Sequence, residues 1–378
     1  MIRIFIAFIL FVHGLIHLMG FVKEWQISNV KQLTGKTLFE LSGAMAKTAG
    51  LFWLLAFLMF AVSAAAYLLK QDSWWIIASA ALVLSQVLIV IYWQDAKFGT
   101  VANLIILIAC VLAYGSWNFN RMVKNEIPSF MPDKTTEKKV ITEEMLSSLP
   151  PVVQKWLRHS GVEGKELTHT AHLLQTGIMR TKPDGNWMPM AAEQYFTVDH
   201  PGFHWTVDVK AAPFFNLSGR DIYQNGSGNM LIKVLSLVPV VDSKGKELNQ
   251  GSMLRFLAEA AWFPSFALSN YISWKQVDSL TAIATMTYGG ITASGIFKFR
   301  ANGDMMGFEA QRYYDRKEGA TLETWSIYND DDGYKQFEGI RIPAKSTVTW
   351  KLKSGDYTWL KVEIKDIEYN KVSDLREK

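Results

Sequence analysis

His13 and His17 stand four residues apart in His13-Gly14-Leu15-Ile16-His17, inside an otherwise apolar stretch. On a helix they share one face. Two imidazoles so placed could ligate a metal or haem or relay protons, and ionisable groups at membrane depth are often functional. The plainer expectation is a pair of interhelical hydrogen bonds, with Gly14 and Gly20 allowing close packing. No Glu follows His13, so the zinc-protease pattern is absent. A second pair, Arg255 and Glu259, is also four apart, on a segment carrying Met253, Leu254, Phe256, Leu257, Ala260 and Ala261. An exposed pair of this kind is worth only about 0.2–0.5 kcal/mol, and the Arg-first order is the weaker one. On so apolar a helix, however, one or both charges should face the interior, where buried charges need partners. Glu193, Arg220 and Asp221 are the partners available. With Trp262 they complete the candidate ligand-binding set: Arg255, Glu259, Trp262, Glu193, Arg220 and Asp221. Such a cluster could hold a lipid headgroup or a carboxylate, or it could be a structural network.

Other chemistry is thinly represented. There is no Gly-x-Ser-x-Gly, no phosphate-binding glycine loop ahead of a helix and no His/Cys ligand cluster. His204 shares a strand face with Asp208 and could form a diad, but a solvated face is the expectation. Asp95 could be a site carboxylate, and is better read as an interfacial charge paired with Lys97. Asp330-Asp331-Asp332-Gly333 holds only a fragment of a calcium-loop spacing and is expected to be an exposed turn. No catalytic residue and no cofactor is implied.

The elements that must position these residues change character near Trp117. Before it lie four apolar stretches, at 2–22, 50–69, 74–93 and 101–117, and the last three contain no Asp, Glu, Lys or Arg. About 20 such residues on a helix cross a hydrocarbon core of about 30 Å. The first stretch is too long, and lacks a following small-residue cleavage site, to be a signal peptide. Lys70-Gln71-Asp72 makes a tight polar turn between the second and third. Trp25, Trp74, Trp75, Trp93 and Trp117 sit near segment ends, as in an aromatic belt. Four spans put both ends of the bundle on one side. Lys23, Lys31, Lys36, Lys47 and Lys97 lie on the other, against Arg3, Lys70, Arg121 and Lys124. That slight imbalance favours an extracytoplasmic soluble domain on a multi-pass cell-membrane protein.

After Trp117 the 378-residue chain, of net charge +4 with interspersed signs, has no basic block to suggest nucleic acid. The single cysteine, Cys110, excludes an intrachain disulfide. A linker is expected at 120–141, then helical structure over 142–160, capped by Thr142 and interrupted at Pro150-Pro151. From Thr168 the period becomes two: Phe203, Trp205, Val207 and Val209 alternate with polar residues, as do Val348, Trp350 and Leu352. Turn signals at Pro183-Asp184-Gly185, Asn225-Gly226, Gly289-Gly290, Asn302-Gly303 and Ser354-Gly355 separate about ten or eleven strands. One apolar helix, 252–271, breaks the pattern. The expected architecture is a four-helix transmembrane domain over 1–119, then a large antiparallel β half-barrel or sandwich with inserted helices over 142–370, and a tail at 371–378.

Leu149-Pro150-Pro151-Val152-Val153-Gln154-Lys155-Trp156-Leu157, Glu193-Gln194-Tyr195-Phe196, Gly202-Phe203-His204-Trp205, Gly219-Arg220-Asp221 and Arg255-Phe256-Leu257-Ala258-Glu259-Ala260-Ala261-Trp262-Phe263-Pro264 resemble an uncharacterised bacterial domain family. The resemblance spans about Leu149 to Asn370 and implies a domain boundary without an activity. By pattern alone the soluble half also resembles the half-barrels of lipoprotein carriers. The expectation is therefore a non-enzymatic carrier or sensor in a bilayer, binding a lipid or other apolar molecule. The alternatives are a membrane redox or metal/haem protein centred on His13 and His17, and a packed scaffold for a protein partner the sequence does not name.

Overall fold

The computed structural model describes residues 2–132, 138–213 and 215–371, and the chain divides into two compact units, Met1–Arg121 and Met122–Lys378. The first unit holds α1 (Ile2–Glu24), α2 (Gly43–Leu68), α3 (Trp74–Ile91), the short α4 (Trp93–Ala96) and the start of α5 (Gly99–Phe130). The four long ones are long and apolar enough to cross a membrane. Ser42 caps α2 by accepting from the Met45 amide at 3.3 Å. The turn to α3 is sharp because Lys70 adopts a left-handed backbone, φ 63°. Two glycines let α1 approach α2. A Cβ on Gly20 would lie 2.6 Å from the Trp53 indole, and one on Gly14 would lie 3.0 Å from Phe60. Asp95 does not pair with Lys97. Its carboxylate accepts from the Thr34 amide and hydroxyl (3.0 and 2.8 Å) and from the Gly35 amide (2.8 Å), tying the loop after α1 to α4.

α5 does not stop near residue 119. It continues through much of the segment expected as linker and ends at Phe130, because Pro128 lies only in its last turn. Residues 126–131 belong to the second unit. There the helical region splits as the prolines require, into α6 (Glu143–Ser147), capped by Thr142, and α7 (Pro151–Ser160), with Pro151 in its first turn and Gly161 left-handed after it, φ 75°.

The sheet is built from β1 (Thr170–Met179), β2 (Met188–Thr197), β3 (Gly202–Ala212), β4 (Phe215–Gln224), β5 (Ser227–Val234), β6 (Val238–Ser243), β7 (Ile272–Asp278), β8 (Thr281–Tyr288), β9 (Ile291–Phe299), β10 (Met305–Tyr314), β11 (Thr321–Asn329), β14 (Lys345–Leu352) and β15 (Gly355–Tyr369), while β12 (Tyr334–Phe337) and β13 (Ile340–Pro343) form a separate ribbon. These 13 strands pair antiparallel in the order β6-β5-β4-β3-β2-β1-β15-β14-β11-β10-β9-β8-β7 and curl into a half-barrel. The count exceeds the ten or eleven read from alternation. β6 carries Pro239 and no clean alternation, which an edge strand tolerates, and β12 and β13 are only four residues each.

β6 and β7 are the two edges, and the chain passes from one to the other through α8 (Lys246–Glu259). α8 packs on β4 and β5 of one arm and on β9 and β10 of the other, so it lies across the concave face. The helix expected at 252–271 thus starts earlier and ends at Glu259. Two 3-10 turns follow, Ala260–Trp262 and Pro264–Leu268, because Pro264 has no amide to continue the ladder. Phe196, Phe203, Tyr223, Phe256, Phe263 and Phe266 are fully buried between helix and sheet. Each such ring is worth about 1.5–3 kcal/mol in burial.

Candidate functional site

Side chains alternate between the faces of a strand, and partners in register share a face. Leu173, Gln194, Trp205 and Asp221 are successive partners across β1–β4 and point into the half-barrel. Glu193, Thr206 and Arg220 are one residue out of step and point away. The six residues expected to gather therefore divide. Asp221 joins Arg255 and Glu259 on the concave side, while Glu193 and Arg220 lie on the convex side. Trp262 is buried, donating its indole N–H to Pro343 O at 3.1 Å, while its own carbonyl accepts from the Tyr369 hydroxyl at 2.7 Å. It anchors the first 3-10 turn.

On the concave side Arg255 donates to Asp221 Oδ2 at 2.7 Å and to Glu259 Oε1 at 2.8 Å. Its guanidinium also sits 4.7 Å from the Phe203 ring centroid and 4.6 Å from that of Trp205. Gln194 Nε2 donates to Glu259 at 2.8 Å, Gln175 Nε2 donates to Gln194 at 2.8 Å, and Trp205 Nε1 donates to Gln175 at 3.0 Å. Burial pushes the Asp221 and Glu259 carboxyls up, against the pull of Arg255. Burial works to lower Arg255, but the two carboxylates outweigh it and hold its proton more tightly.

A second guanidinium faces this cluster. Arg312 lies 4.6 Å from the Trp325 ring centroid and 5.8 Å from that of Trp350. α8 crosses it at Gly251, where a Cβ would meet its Nε at 3.0 Å, so the stripe Gly251, Arg255, Glu259 runs over the polar floor. Among the described residues Arg312 has no hydrogen bond or ion pair. Burial and the neighbouring Arg255 lower it to about 10, so it stays charged at neutral pH. The apolar side chains sharing this core include the half-buried Met179, Met188, Leu217, Tyr314 and Leu352. Sequence reasoning passed over Arg312. Its signal was the alternation Phe308, Ala310, Arg312, Tyr314, which sets it on the apolar face of β10.

The convex side carries a different network. Glu193 accepts from His172 at 2.8 Å and from the Tyr195 hydroxyl at 2.5 Å, with the two rings stacked 4.4 Å apart. Glu126 near the end of α5 bridges His204 at 3.1 Å and Arg220 at 3.2 Å. His204 is thus fully buried against α5 and not on a solvated face, and Asp208 pairs with Ser218 instead.

In the first unit the histidines hydrogen-bond within α1 and across to α3 and α5. His17 Nδ1 donates to His13 O and its Nε2 accepts from Ser85, both at 2.8 Å, and His13 Nε2 donates to Asn103 Oδ1 at 2.9 Å. Asn103 Nδ2 donates onward to Ser85 and to Gln86, each at 3.0 Å. Among the described residues no three His, Cys, Asp or Glu side chains converge as a metal set. Asp330 to Gly333 forms the turn expected of it.

A family model described as "Family of unknown function (DUF6544)" matches residues 139–362, more than half of the chain. The chain belongs to this family. The match covers the half-barrel and leaves the four-helix unit outside it. No protein of curated function matches the chain. Among solved structures, the chain is similar to a DUF1329 family protein from Desulfovibrio piger ATCC 29098, at 11% identity and a TM-score of 0.33, over 59% of this chain and 92% of that one. It is also similar to a putative outer membrane lipoprotein-sorting protein domain from Vibrio parahaemolyticus, at 9% identity and a TM-score of 0.32, over 61% of this chain and 97% of that one. At those scores neither likeness carries an argument about ligand or activity.

Proposed function

We propose that this family member is a multi-pass membrane protein whose half-barrel binds an acidic amphiphile on its concave face, as a non-catalytic carrier or sensor with the domain on the extracytoplasmic side. The observation that carries this reading is Arg312, a half-buried cation between two tryptophans that has no hydrogen bond or ion pair among the described residues, beside the Arg255–Asp221–Glu259 cluster. A partly desolvated guanidinium gains most from a carboxylate or phosphate it can grip with two donors. Arg255, Gln194 and Trp205 lie on the same concave side as Arg312, and the half-buried Met and aromatic side chains of that core offer an apolar surface to a chain.

The charge of the cluster matters to this assignment. Asp221 and Glu259 leave one negative charge over after pairing with Arg255, and Arg312 brings the set to zero net charge, so an incoming anion meets no excess of like charge. The test is organic extraction of the full-length protein purified from membranes in detergent, followed by mass spectrometry. An acidic amphiphile should co-purify in near-stoichiometric amount and be lost from Arg312→Met. Extracts of both proteins that hold only bulk membrane lipid would sink the proposal.

A further inference from the structure

Hairpin tips that face water are usually built from Gly, Asn, Asp, Pro and Ser, which suit tight turns. Two neighbouring tips of the half-barrel depart from this. The turn from β3 to β4 lies in Ala211-Ala212-Pro213-Phe214-Phe215, and the turn from β5 to β6 in Val234-Leu235-Ser236-Leu237-Val238. Leu235 and Ser236 both take a left-handed backbone, φ 52° and 59°, in a turn closed by the Leu237 amide on Val234 O at 3.0 Å. Consecutive left-handed residues in a hairpin are usually Asn-Gly, and a leucine there is strained. The two tips are tied side by side: the Leu235 amide donates to Asn216 O at 2.8 Å, and the Ser218 and Ser236 hydroxyls lie 2.8 Å apart. Their apolar side chains emerge from the core at the rim. Val209, Leu217, Val234 and Val238 are successive partners across β3–β6, one row on the concave face. Val209 is buried, Leu217 and Val234 are half-buried, and Val238 is 59% exposed. Phe215, two residues along β4 from Leu217, is 42% exposed, and Val240, skipped by the register shift between β5 and β6, is 56% exposed. An apolar patch of this kind, rimmed by polar residues, marks an interaction site.

Charge and tethering select the partner. In 209–218 and 231–241 the only charged residues are Lys210 and Lys233, on the convex side just behind the apolar rim. The nearest acids are Asp208, which shares a row with Lys233 and accepts from Ser218 at 3.0 Å, and Asp242, which shares the next row back with Arg220 and accepts from Asn229 at 3.2 Å. With Asp208 counted, the rim keeps one net positive charge. Apolar side chains ahead of lysines suit the headgroup region of an anionic bilayer, where the apolar groups leave water and the ammonium groups meet phosphates. The same chain carries four helices long and apolar enough to cross a membrane, so a bilayer surface is available to the tips at high effective concentration.

We propose that the β3–β4 and β5–β6 tips dock on an anionic bilayer surface, with Phe215, Val238 and Val240 in the headgroup region and Lys210 and Lys233 against lipid phosphates. The proposal does not rest on the concave face holding a ligand, and its test involves none. Full-length protein is placed in nanodiscs of an equal mixture of phosphatidylcholine and phosphatidylglycerol, doped with a phosphatidylcholine that carries a diazirine near its headgroup, then photolysed and mapped by mass spectrometry. Labels on the four apolar helices report that the carbene reacts. Labels should fall as well on the peptides carrying Phe215 and Val240. Nanodiscs of phosphatidylcholine alone should lower labelling of the tips about fivefold, as expected for one net charge at the surface. Val238→Asp with Val240→Asp, at exposed edge positions, should lower labelling of the Phe215 peptide about tenfold. Unlabelled tips in wild-type protein whose helices are labelled would overturn the proposal, and that readout stands even where the double variant fails to fold. Tip labelling indifferent to lipid charge or to the double variant would overturn it too. So would tips shielded from hydroxyl-radical footprinting in detergent alone, together with a dimer in mass photometry, which would give the patch to a second copy of the chain.

Discussion

Replacing Arg255 by Met tests whether the concave cluster is a true buried ion network. Met keeps most of the side-chain length but removes the donors to Asp221 at 2.7 Å and Glu259 at 2.8 Å and the guanidinium over Phe203 and Trp205. The Arg255 side chain is 14% exposed and the Asp221 side chain 5%. Breaking a buried pair from one side typically destabilises by about 3–5 kcal/mol, because a buried charge is left unmatched. The two ring contacts add about 0.5–2 kcal/mol each when desolvated. Protonation of Asp221 and Glu259 offsets part of this, since burial already holds both above the ordinary carboxylate range. The net expectation is a loss of about 3–5 kcal/mol. In a unit of this size that is a fall in Tm of about 6–20 °C. Thermal unfolding of the full-length protein in detergent, followed by intrinsic fluorescence, measures it. The sign of the pH effect is set by the same carboxyls: their folded pKa is raised, so the loss should shrink as the pH falls and they take up protons. The combined variant Arg255→Met, Asp221→Asn, Glu259→Gln should recover most of the stability, as neutral replacement of buried ion sets often does. A drop in Tm under about 2 °C for Arg255→Met alone would refute the reasoning, because it would mean that water already solvates the cluster.

Glu193 gives a pH prediction of opposite sign. Its hydrogen bond from His172, aided by Tyr195 and opposed by burial, holds its carboxyl below the ordinary range, so the stability it contributes is present above about pH 4.3 and is lost as the pH falls through the folded value. Acid titration of unfolding should therefore be shallower in Glu193→Gln, and identical curves would contradict this. Gly295→Ala should destabilise by about 1–3 kcal/mol through overpacking, since its Cβ would lie 2.1 Å from the Phe308 ring. A neutral result in thermal melts would show that Phe308 can move aside.

The four-helix unit was legible in the sequence because helices long and apolar enough to cross a membrane have a length and composition that short-range reading detects. The half-barrel was legible from alternation where one face of a strand meets solvent, as at Val207, Asp208, Val209 and Lys210 in β3. It failed at His204 in the same strand, because the end of α5 covers the convex face there, and no property of the strand announces a cover from another element. Arg255, Glu259 and Asp221 were found together because a charged i, i+4 pair on an apolar helix has to seek a buried partner. Glu193 and Arg220 were misplaced by a single residue of register, which in a sheet is the whole difference between the two faces. Arg312 was missed for want of counting in twos from Phe308. The histidine pair was read by its spacing, but Ser85 and Asn103, which fix its proton positions, come from α3 and α5 and have no sequence signal of their own.

The measurement that bears most directly on the acidic-amphiphile assignment compares palmitate with its methyl ester, binding to the full-length protein and to Arg312→Met in detergent. The chain is the same in both ligands, so only the charged head differs. A charge-assisted hydrogen bond is worth about 1.5–3 kcal/mol, so the acid should bind roughly 10- to 100-fold more tightly than the ester to the wild type and no more tightly to the variant. Equal affinity for acid and ester, or an unchanged preference in Arg312→Met, would contradict the assignment of the concave face.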